Sequence, residues 1–190
     1  MKITIIGVGA LGSHLVAALR NEAVELTIID MDRVEIGNVS SQFHFKSNVG
    51  KKKVDSLKQA MQFCYGAKLE VVGHMLRDDN ALELLGGAEL LVDCLDNGKA
   101  RRIVQGFARA RSVPCVHGAL AAGGEFGRVV WTEHFVIDDE PAVAAPTCED
   151  GAFLPFIQLT SAALALAVQA FVRRGQRISF SISPSGILRI

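Results

Sequence analysis

The stretch KITIIGVGALG, at residues 2–12, decides the fold of this chain. Residues 2–8 form an apolar run that is too short for a helix and too uniformly apolar for a half-exposed strand. Such a run predicts a strand of a parallel sheet that is covered on both faces. It continues into the GxGxxG motif at residues 7–12 and then into a predicted helix over 10–21. In this motif the first glycine permits a tight turn, the second lets the backbone approach a phosphate, and the third lets helix and strand pack closely.

Asp30 supports a nucleotide as the ligand of this glycine loop. It ends the second predicted strand, over 25–30, where a carboxylate can accept hydrogen bonds from ribose hydroxyls. Backbone amides at the start of the helix after the loop offer hydrogen bonds and partial positive charge to an anion. We therefore predict a nucleotide-binding site, and glycines that serve only a turn are the alternative.

Strands and helices alternate along the chain as far as Gly118. Further helices are predicted over 48–63, 79–85 and 99–111, and further strands over 68–72, 89–94 and from residue 114. This alternation is typical of a doubly wound α/β sheet. Beyond Gly118 the sequence predicts a strand over 126–132, a loop over 138–150, an apolar helix over 153–172, and a closing hairpin of strands over 178–183 and 186–190.

These elements predict one α/β domain over residues 1–190. Residues 1–118 form its doubly wound, Rossmann-like and mostly parallel half, and residues 119–190 add antiparallel strands, a crossover loop and the long apolar helix. That helix has no formally charged residue and is long enough to span a bilayer. Its polar residues, among them Gln158 and Gln169, favour a buried or subunit-facing helix, so no membrane partner is expected.

The amino-acid composition indicates which partners are excluded and in which compartment the protein is expected. Apolar residues make up 49% of the chain, and 20 Lys and Arg residues balance 20 Asp and Glu residues. A dedicated nucleic-acid binder needs a basic excess, so no nucleic-acid partner is expected. None of the cysteines forms a CxxC pair, which makes zinc unlikely and a reducing, cytoplasmic location the expectation. Three of them are predicted to lie in the core: Cys64, Cys94 and Cys115.

Four separated motifs then point to one family. Residues 30–42, DMDRVEIGNVSSQ, closely resemble the hallmark D-x-D-x-V-E-x-S-N-L-N-R-Q of the ThiF/MoeB/HesA family, relatives of the ubiquitin-activating enzymes. Residues 50–53, GKKK, resemble the family's G-x-x-K, and residues 93–101 resemble D-x-x-D-N-x-x-x-R. Residues 148–155 resemble C-x-x-x-G-x-x-x-P with one residue fewer. The resemblance covers residues 1–175.

The resemblance implies an enzyme that uses ATP and Mg²⁺ to adenylate the C-terminal glycine of a ubiquitin-like or sulfur-carrier protein. It implies that Lys53 contacts the phosphates, that Asp96 assists the metal, and that Cys148 serves sulfur transfer or a covalent link to the partner. Because the family is typically dimeric, a homodimer is expected. The residues implied for nucleotide binding are Gly7, Gly9, Gly12, Asp30, Asp32, Asn38, Lys53, Asp96 and Asn97.

Each of these residues also has a simpler explanation. Lys53 lies in a run of three lysines, and a charge run is usually solvated. Asp96 and Asn97 follow a predicted strand and could simply cap the next helix. Cys148 lies beside two acidic residues, whose negative charge disfavours a thiolate, so a structural cysteine is an equal alternative.

Two departures from the family pattern leave the activity open. Ser41 stands where the family has a phosphate-contacting arginine, although Lys46 or Arg33 could compensate, and the two CxxC pairs that bind zinc in many members are absent. A non-catalytic nucleotide-binding scaffold is therefore one alternative to an adenylating enzyme. A nicotinamide-dependent oxidoreductase is the other, but it leaves Asn38, Lys53 and Asp96 unexplained.

Overall fold

A computed structural model describes residues 1–121, 123–137 and 151–190. The predicted loop over 138–150, and Cys148 with it, lies outside the described residues. The strands are β1 Lys2–Ile6, β2 Glu25–Ile29, β3 Glu70–Val72, β4 Leu90–Asp93, β5 Cys115–Leu120, β6 Gly127–Trp131, β7 Phe180–Ser183 and β8 Gly186–Arg189. The α-helices are α1 Ala10–Ala18, α2 Lys53–Tyr65, α3 Ala81–Leu85, α4 Gly98–Arg111 and α5 Leu154–Arg174. Short 3₁₀ helices cover Ile36–Ser40 and Lys46–Asn48.

The described strands form a single mixed sheet in the order β3-β2-β1-β4-β5-β6-β7-β8. Strands β1 to β5 pair in parallel, and β6 to β8 are antiparallel. This arrangement confirms the predicted doubly wound sheet with antiparallel C-terminal strands. The chain leaves β1 toward β2 on one side and later returns to β4 on the other side. In open α/β sheets, ligands bind at such a switch point, beyond the carboxyl ends of the strands.

Helices cover both faces of the sheet. One apolar cluster joins the sheet to α1, α2 and α5, and a second cluster joins it to α3 and α4. Within the described part of the chain, α5 is the helix long and apolar enough to cross a membrane. Its residues Ile157, Leu164 and Val168 are fully buried, and α5 packs against α1. The helix is therefore a component of the core, as its polar residues indicated.

Helix α2 differs from its prediction at both ends. It begins at Lys53 rather than at residue 48, because Gly50 adopts a left-handed φ of +88° that no helix accommodates. It ends at Tyr65 rather than at residue 63. The prediction that Cys64 lies in the core is wrong, because Cys64 is exposed, and Phe63 is exposed as well. Phe63 lies on the face opposite the buried Met61, because two residues turn a helix through about 200°. Cys64 lies in the last turn.

Candidate nucleotide-binding site

In the glycine loop after β1, Gly7 and Gly12 lie against neighbouring backbone atoms, whereas Gly9 has open space beside it. Gly7 has a φ of +87°, and a Cβ there would lie 2.9 Å from the backbone oxygen of Cys94. A Cβ at Gly12 would lie 1.9 Å from the backbone oxygen of Gly7. By contrast, a Cβ at Gly9 would meet nothing nearer than Gln42 Nε2, at 3.9 Å. The first and third glycines are thus required by the fold, and the second lines a cradle that a phosphate can enter.

Asp30 connects the end of β2 to this loop. Its carboxylate accepts hydrogen bonds from the backbone amides of Val8 and Asp32, each at 2.8 Å. Burial raises the pKa of the Asp30 carboxyl above its ordinary value, and these two hydrogen bonds oppose the shift. A carboxylate has about four lone-pair positions, so Asp30 retains acceptor capacity for a ribose hydroxyl.

Lys53 is held at the same edge of the sheet by Asp32. The Lys53 backbone amide donates to the Asp32 carbonyl at 2.8 Å, and Lys53 Nζ lies 3.2 Å from Asp32 Oδ2. Lys53 is buried, whereas Lys51 in the same run is exposed, and Lys52 donates through Nζ to the carbonyl of Gly73. The three lysines therefore have different environments, and Lys53 is the one that pairs with Asp32, just after β2.

The loop after β4 presents Asp96 to solvent. Asp96 is exposed and has no hydrogen-bond or ion-pair partner among the described residues. Asn97 caps α4, because its side-chain oxygen accepts from the Ala100 amide at 2.8 Å. The capping role considered for both residues thus falls to Asn97, and the Asp96 carboxylate stays open to a ligand.

Parallel pairing brings these residues to a single edge. Strands β2 and β4 flank β1 on its two sides, so Lys53 and Asp96 lie on opposite sides of the glycine loop. The described residues contain no group of three His, Cys, Asp or Glu side chains that could hold a metal. Mg²⁺ does not need such a cage, since it is usually held by one or two carboxylates together with phosphates and water. The exposed Asp96 carboxylate beside an open phosphate cradle fits that requirement.

Asn38 and Ser41, both in the hallmark motif, form hydrogen bonds with other residues of the protein. Asn38 Oδ1 accepts from the Glu35 amide at 3.0 Å. Ser41 is fully buried, and its carbonyl accepts from His14 Nε2 at 3.0 Å. The position of the family arginine therefore faces the protein interior in this chain. Of the two cations that could compensate, Arg33 donates to the Gly50 carbonyl, and Lys46 is exposed.

Sequence reasoning missed a buried histidine beneath the glycine loop. His44 Nε2 lies 3.1 Å from the carbonyl of Val8, and its Nδ1 lies 3.3 Å from Ser56 Oγ. Because a carbonyl only accepts, Nε2 carries the proton. Burial lowers the pKa of His44 from 6.5 to about 4, so the ring is neutral at pH 7. The signal for such a contact is absent from the local sequence, since it joins residues far apart in the chain.

Next to Asp96, a buried polar group joins Asp93 and Arg101, both in the motif at residues 93–101, to His117, and the sequence did not reveal this link. Asp93 is buried and accepts hydrogen bonds from Leu95, Arg101 and His117. The His117 ring stacks on Phe135 with a centroid distance of 4.1 Å and an interplanar angle of 2°. His117 is therefore a member of a buried polar network.

The described cysteines do not form a reactive site. Burial raises the pKa of the Cys94 and Cys115 thiols well above the usual range, with the Asp93 charge adding to the shift, so neither is a thiolate at neutral pH. Cys115 is buried as predicted, Cys94 is partly buried, and Cys64 is exposed. The role predicted for Cys148 concerns a residue outside the described part of the chain.

Two surface grooves lie away from the glycine loop. One, of about 450 Å³, is lined mainly by polar residues of α2 and β3, and another, of about 220 Å³, lies between the end of α1 and residues 67–69. None of the residues predicted to bind a nucleotide lines either groove. The candidate site therefore rests on the loop geometry and its donors and acceptors, and not on cavity volume.

Comparisons with known proteins give relatives in sequence and in structure. The model of the ThiF family matches residues 1–173. The chain is 30% identical to the molybdopterin-synthase adenylyltransferase of Salmonella typhimurium over 121 residues, covering 62% of this chain and 49% of that protein. It is 30% identical to the SAMP-activating enzyme E1 of Haloferax volcanii over 125 residues, covering 63% and 45%. The chain thus spans about half the length of these curated relatives.

A solved structure with the same fold is E. coli MccB with ATP. It superposes with a TM-score of 0.78 at 16% identity, and the match covers 100% of this chain and 62% of that chain. At this identity the likeness concerns the fold alone. It includes the antiparallel strands and the long helix, because the whole of the present chain is matched.

Proposed function

The chain belongs to the ThiF family, and from that premise we propose that it uses ATP and Mg²⁺ to adenylate the C-terminal carboxylate of a small carrier protein. The observation that carries the proposal is the presence of opposite charges on the two sides of the glycine loop. The exposed Asp96 carboxylate lies on one side, and the buried Lys53, held by Asp32 at 3.2 Å, lies on the other. A carboxylate and a lysine on opposite sides of the loop suit a metal-bound triphosphate, whereas a nicotinamide ring requires neither.

Each residue of the site has a part in this reaction. The amides of the glycine loop and the start of α1 bind phosphate oxygens, and Asp30 accepts hydrogen bonds from the ribose. Lys53 neutralises charge on the phosphates as a point charge. Asp96 would hold Mg²⁺, which when bound supplies charge neutralisation along the triphosphate.

The chemical step itself needs positioning rather than a covalent group of the protein. A carboxylate oxygen of the acceptor forms a bond to the α-phosphorus of ATP. The bond from that phosphorus to the oxygen that bridges the α- and β-phosphorus atoms breaks. Pyrophosphate leaves with the bonding electron pair. Fixed cations and in-line orientation are the two requirements for this step.

The acceptor is proposed from the names of the relatives. One relative is a molybdopterin-synthase adenylyltransferase, and others are a SAMP-activating enzyme and a NEDD8-activating enzyme subunit. We extend to this chain an acceptor of the ubiquitin-like or sulfur-carrier kind, with a C-terminal glycine. A subsequent thiol step at Cys148, a homodimer and a cytoplasmic location stay predictions from the sequence.

One observation favours a second candidate function, a nucleotide-binding scaffold without catalysis. Ser41 occupies the position of the family arginine and is fully buried, so no guanidinium reaches the phosphates from there. Loss of an arginine from a phosphoryl-transfer site costs on the order of a thousandfold in rate. A scaffold would bind ATP through the glycine loop and Asp30 but would not exchange pyrophosphate.

Exchange of labelled pyrophosphate into ATP separates the two candidates. With a carrier protein ending in Gly-Gly, the enzyme supports exchange, and Asp96→Ala lowers the rate by about a hundredfold or more because one metal-holding carboxylate is lost. Asp78→Ala, which removes an exposed acid elsewhere, is the control and leaves the rate unchanged.

Three results would contradict the proposal. ATP binding without exchange, for any carrier tested, favours the scaffold. Tighter binding of NAD than of ATP with Mg²⁺ in calorimetry favours the oxidoreductase. Equal exchange by the Asp96→Ala and Asp78→Ala variants would remove Asp96 from the site.

A further inference from the structure

Arg101 is a buried cation that makes no contact with the open face of the glycine loop. It lies on α4, and its guanidinium donates to three oxygens of the surrounding structure. Nη1 lies 3.2 Å from Asp93 Oδ2, and Nη2 donates to the carbonyls of Leu95 and, at 2.8 Å, of Gly118. Arg101 therefore connects β4, the loop after it and β5.

Leu95, the residue before Asp96, is held through both of its backbone polar groups. Its amide donates to Asp93 Oδ1 at 2.9 Å, and its carbonyl accepts from Arg101 Nη2. The carbonyl of Leu95 belongs to the peptide unit that continues into Asp96, so these two bonds set the direction in which Asp96 leaves the sheet. The Asp96 side chain itself remains exposed.

We propose that Arg101 is a positioning residue for Asp96: together with Asp93 it holds the Leu95 backbone so that the Asp96 carboxylate points at the metal of the bound nucleotide. The inference rests on the proposed function, since it assigns Asp96 to Mg²⁺. It goes beyond that function by separating the motif at residues 93–101 into a metal-facing acid and a buried pair that orients it.

The surroundings of Asp93 explain why an arginine is needed. His117 Nδ1 lies 2.7 Å from Asp93 Oδ2, and the His117 ring is stacked on Phe135. Asp93 is thereby fixed from β5 and cannot follow a shorter cation. A lysine retains the charge of Arg101, but it has no planar fork with which to reach Asp93, Leu95 and Gly118 together.

Mg²⁺ makes this orientation matter, because it demands near-ideal octahedral geometry. A displacement of about 1 Å in a positioned group can cost about a hundredfold in rate. Binding of ATP without metal depends on the glycine loop and Asp30, neither of which contacts Arg101. Loss of the Arg101 contacts should therefore weaken the metal-dependent part of ATP binding and leave the metal-independent part intact.

The test compares Arg101→Lys with the wild type by calorimetry, using ATP with Mg²⁺ and ATP with EDTA. We expect the affinity for ATP with Mg²⁺ to fall by about tenfold and the affinity in EDTA to change by less than about twofold. Arg109→Lys is the matched control, because it makes the same change on the same helix at a guanidinium that donates to the Thr132 carbonyl. It leaves both affinities unchanged.

A readout without nucleotide tests the same contacts. In the free wild-type protein, the Leu95 amide exchanges its hydrogen as slowly as the amides of β4, although it lies in a loop. In Arg101→Lys it exchanges at least about ten times faster. The wild-type measurement needs no variant, so it stands if Arg101→Lys does not fold.

Two outcomes would overturn the inference. The first is rapid exchange of the wild-type Leu95 amide, or an exchange rate that Arg101→Lys does not change. The second is an equal loss of affinity with Mg²⁺ and with EDTA in Arg101→Lys, which is the result of a merely structural role. Failure of the wild type to bind ATP more tightly with Mg²⁺ would instead contradict the proposed function and, with it, any positioning role toward the metal.

Discussion

Two pairs of acidic residues lie on either side of the glycine loop, Asp30 with Asp32 after β2 and Asp93 with Asp96 after β4. In each pair the first carboxylate is the more buried and accepts from a backbone amide two residues further on, at 2.8 Å for Asp30 and 2.9 Å for Asp93. In each pair the second carboxylate is exposed. The two loops therefore use the same local turn to direct an acid outward.

The pairs differ in what surrounds the first acid. Asp93 is fully buried between Arg101 and His117, whereas the hydrogen bonds of Asp30 come from backbone amides alone. The charge of Asp93 is thus paired with Arg101 inside the protein, whereas that of Asp30 stays available to a ligand. Whether an acidic residue at a strand end is structural or binds a ligand therefore depends on whether a cation lies beside it. That cation comes from another part of the sequence.

Matched amide substitutions give the largest expected contrast between the two pairs. Asp93→Asn removes the charge that compensates the buried Arg101 and destabilises the fold by about 3–5 kcal/mol. Asp30→Asn keeps one acceptor for a backbone amide and costs no more than about 2 kcal/mol, but it lowers the affinity for ATP by about tenfold. Chemical denaturation and calorimetry measure the two effects. Equal destabilisation by the two variants would remove the distinction between the acids.

The glycine-loop side should also respond to pH through His44. Its pKa is about 4 in the fold against an ordinary 6.5, so the folded state binds fewer protons than the unfolded state between these values. The contribution of His44 to stability therefore falls by about 3 kcal/mol as the pH is lowered from 6.5 to 4. Denaturation across this range measures the slope.

Two histidine variants show whether that slope belongs to His44. His44→Gln makes the slope shallower, because one titrating group is gone, although the variant is less stable at neutral pH. Part of the slope remains, because burial also lowers the pKa of the partly buried His14. His74→Gln removes an exposed histidine and leaves the slope as it is. An unchanged slope in His44→Gln would show that the pH dependence arises elsewhere.

The parts of the fold that followed from the sequence are those with local causes. The glycine motif and the short apolar strands indicate their structure directly. Parallel strands bring Asp30 and Asp96 to one edge, whereas Lys53, on α2, is placed there by its contacts with Asp32. The start of α2 was missed because a single residue, Gly50, adopts a left-handed conformation. That is a property of one backbone position and not of the helical pattern around it.

The family resemblance assigned the metal to Asp96, but the burial of Asp93 and its partners could not be predicted from the local sequence. Whether Asp93 or Asp96 is exposed depends on Arg101 and His117, and His117 depends in turn on Phe135, which reaches it from beyond β6. The burial of Ser41 likewise depends on its contact with His14 in α1. Such contacts join distant residues, and no local pattern records them.

The most direct test of the central claim is a crystal structure with a non-hydrolysable ATP analogue and Mn²⁺, whose anomalous scattering locates the metal. The account predicts that the triphosphate lies over Gly9 with Lys53 against it, and that the manganese peak lies within coordination distance of an Asp96 oxygen. A metal bound elsewhere, with Asp96 still facing solvent, or a triphosphate excluded from the glycine loop, would contradict it.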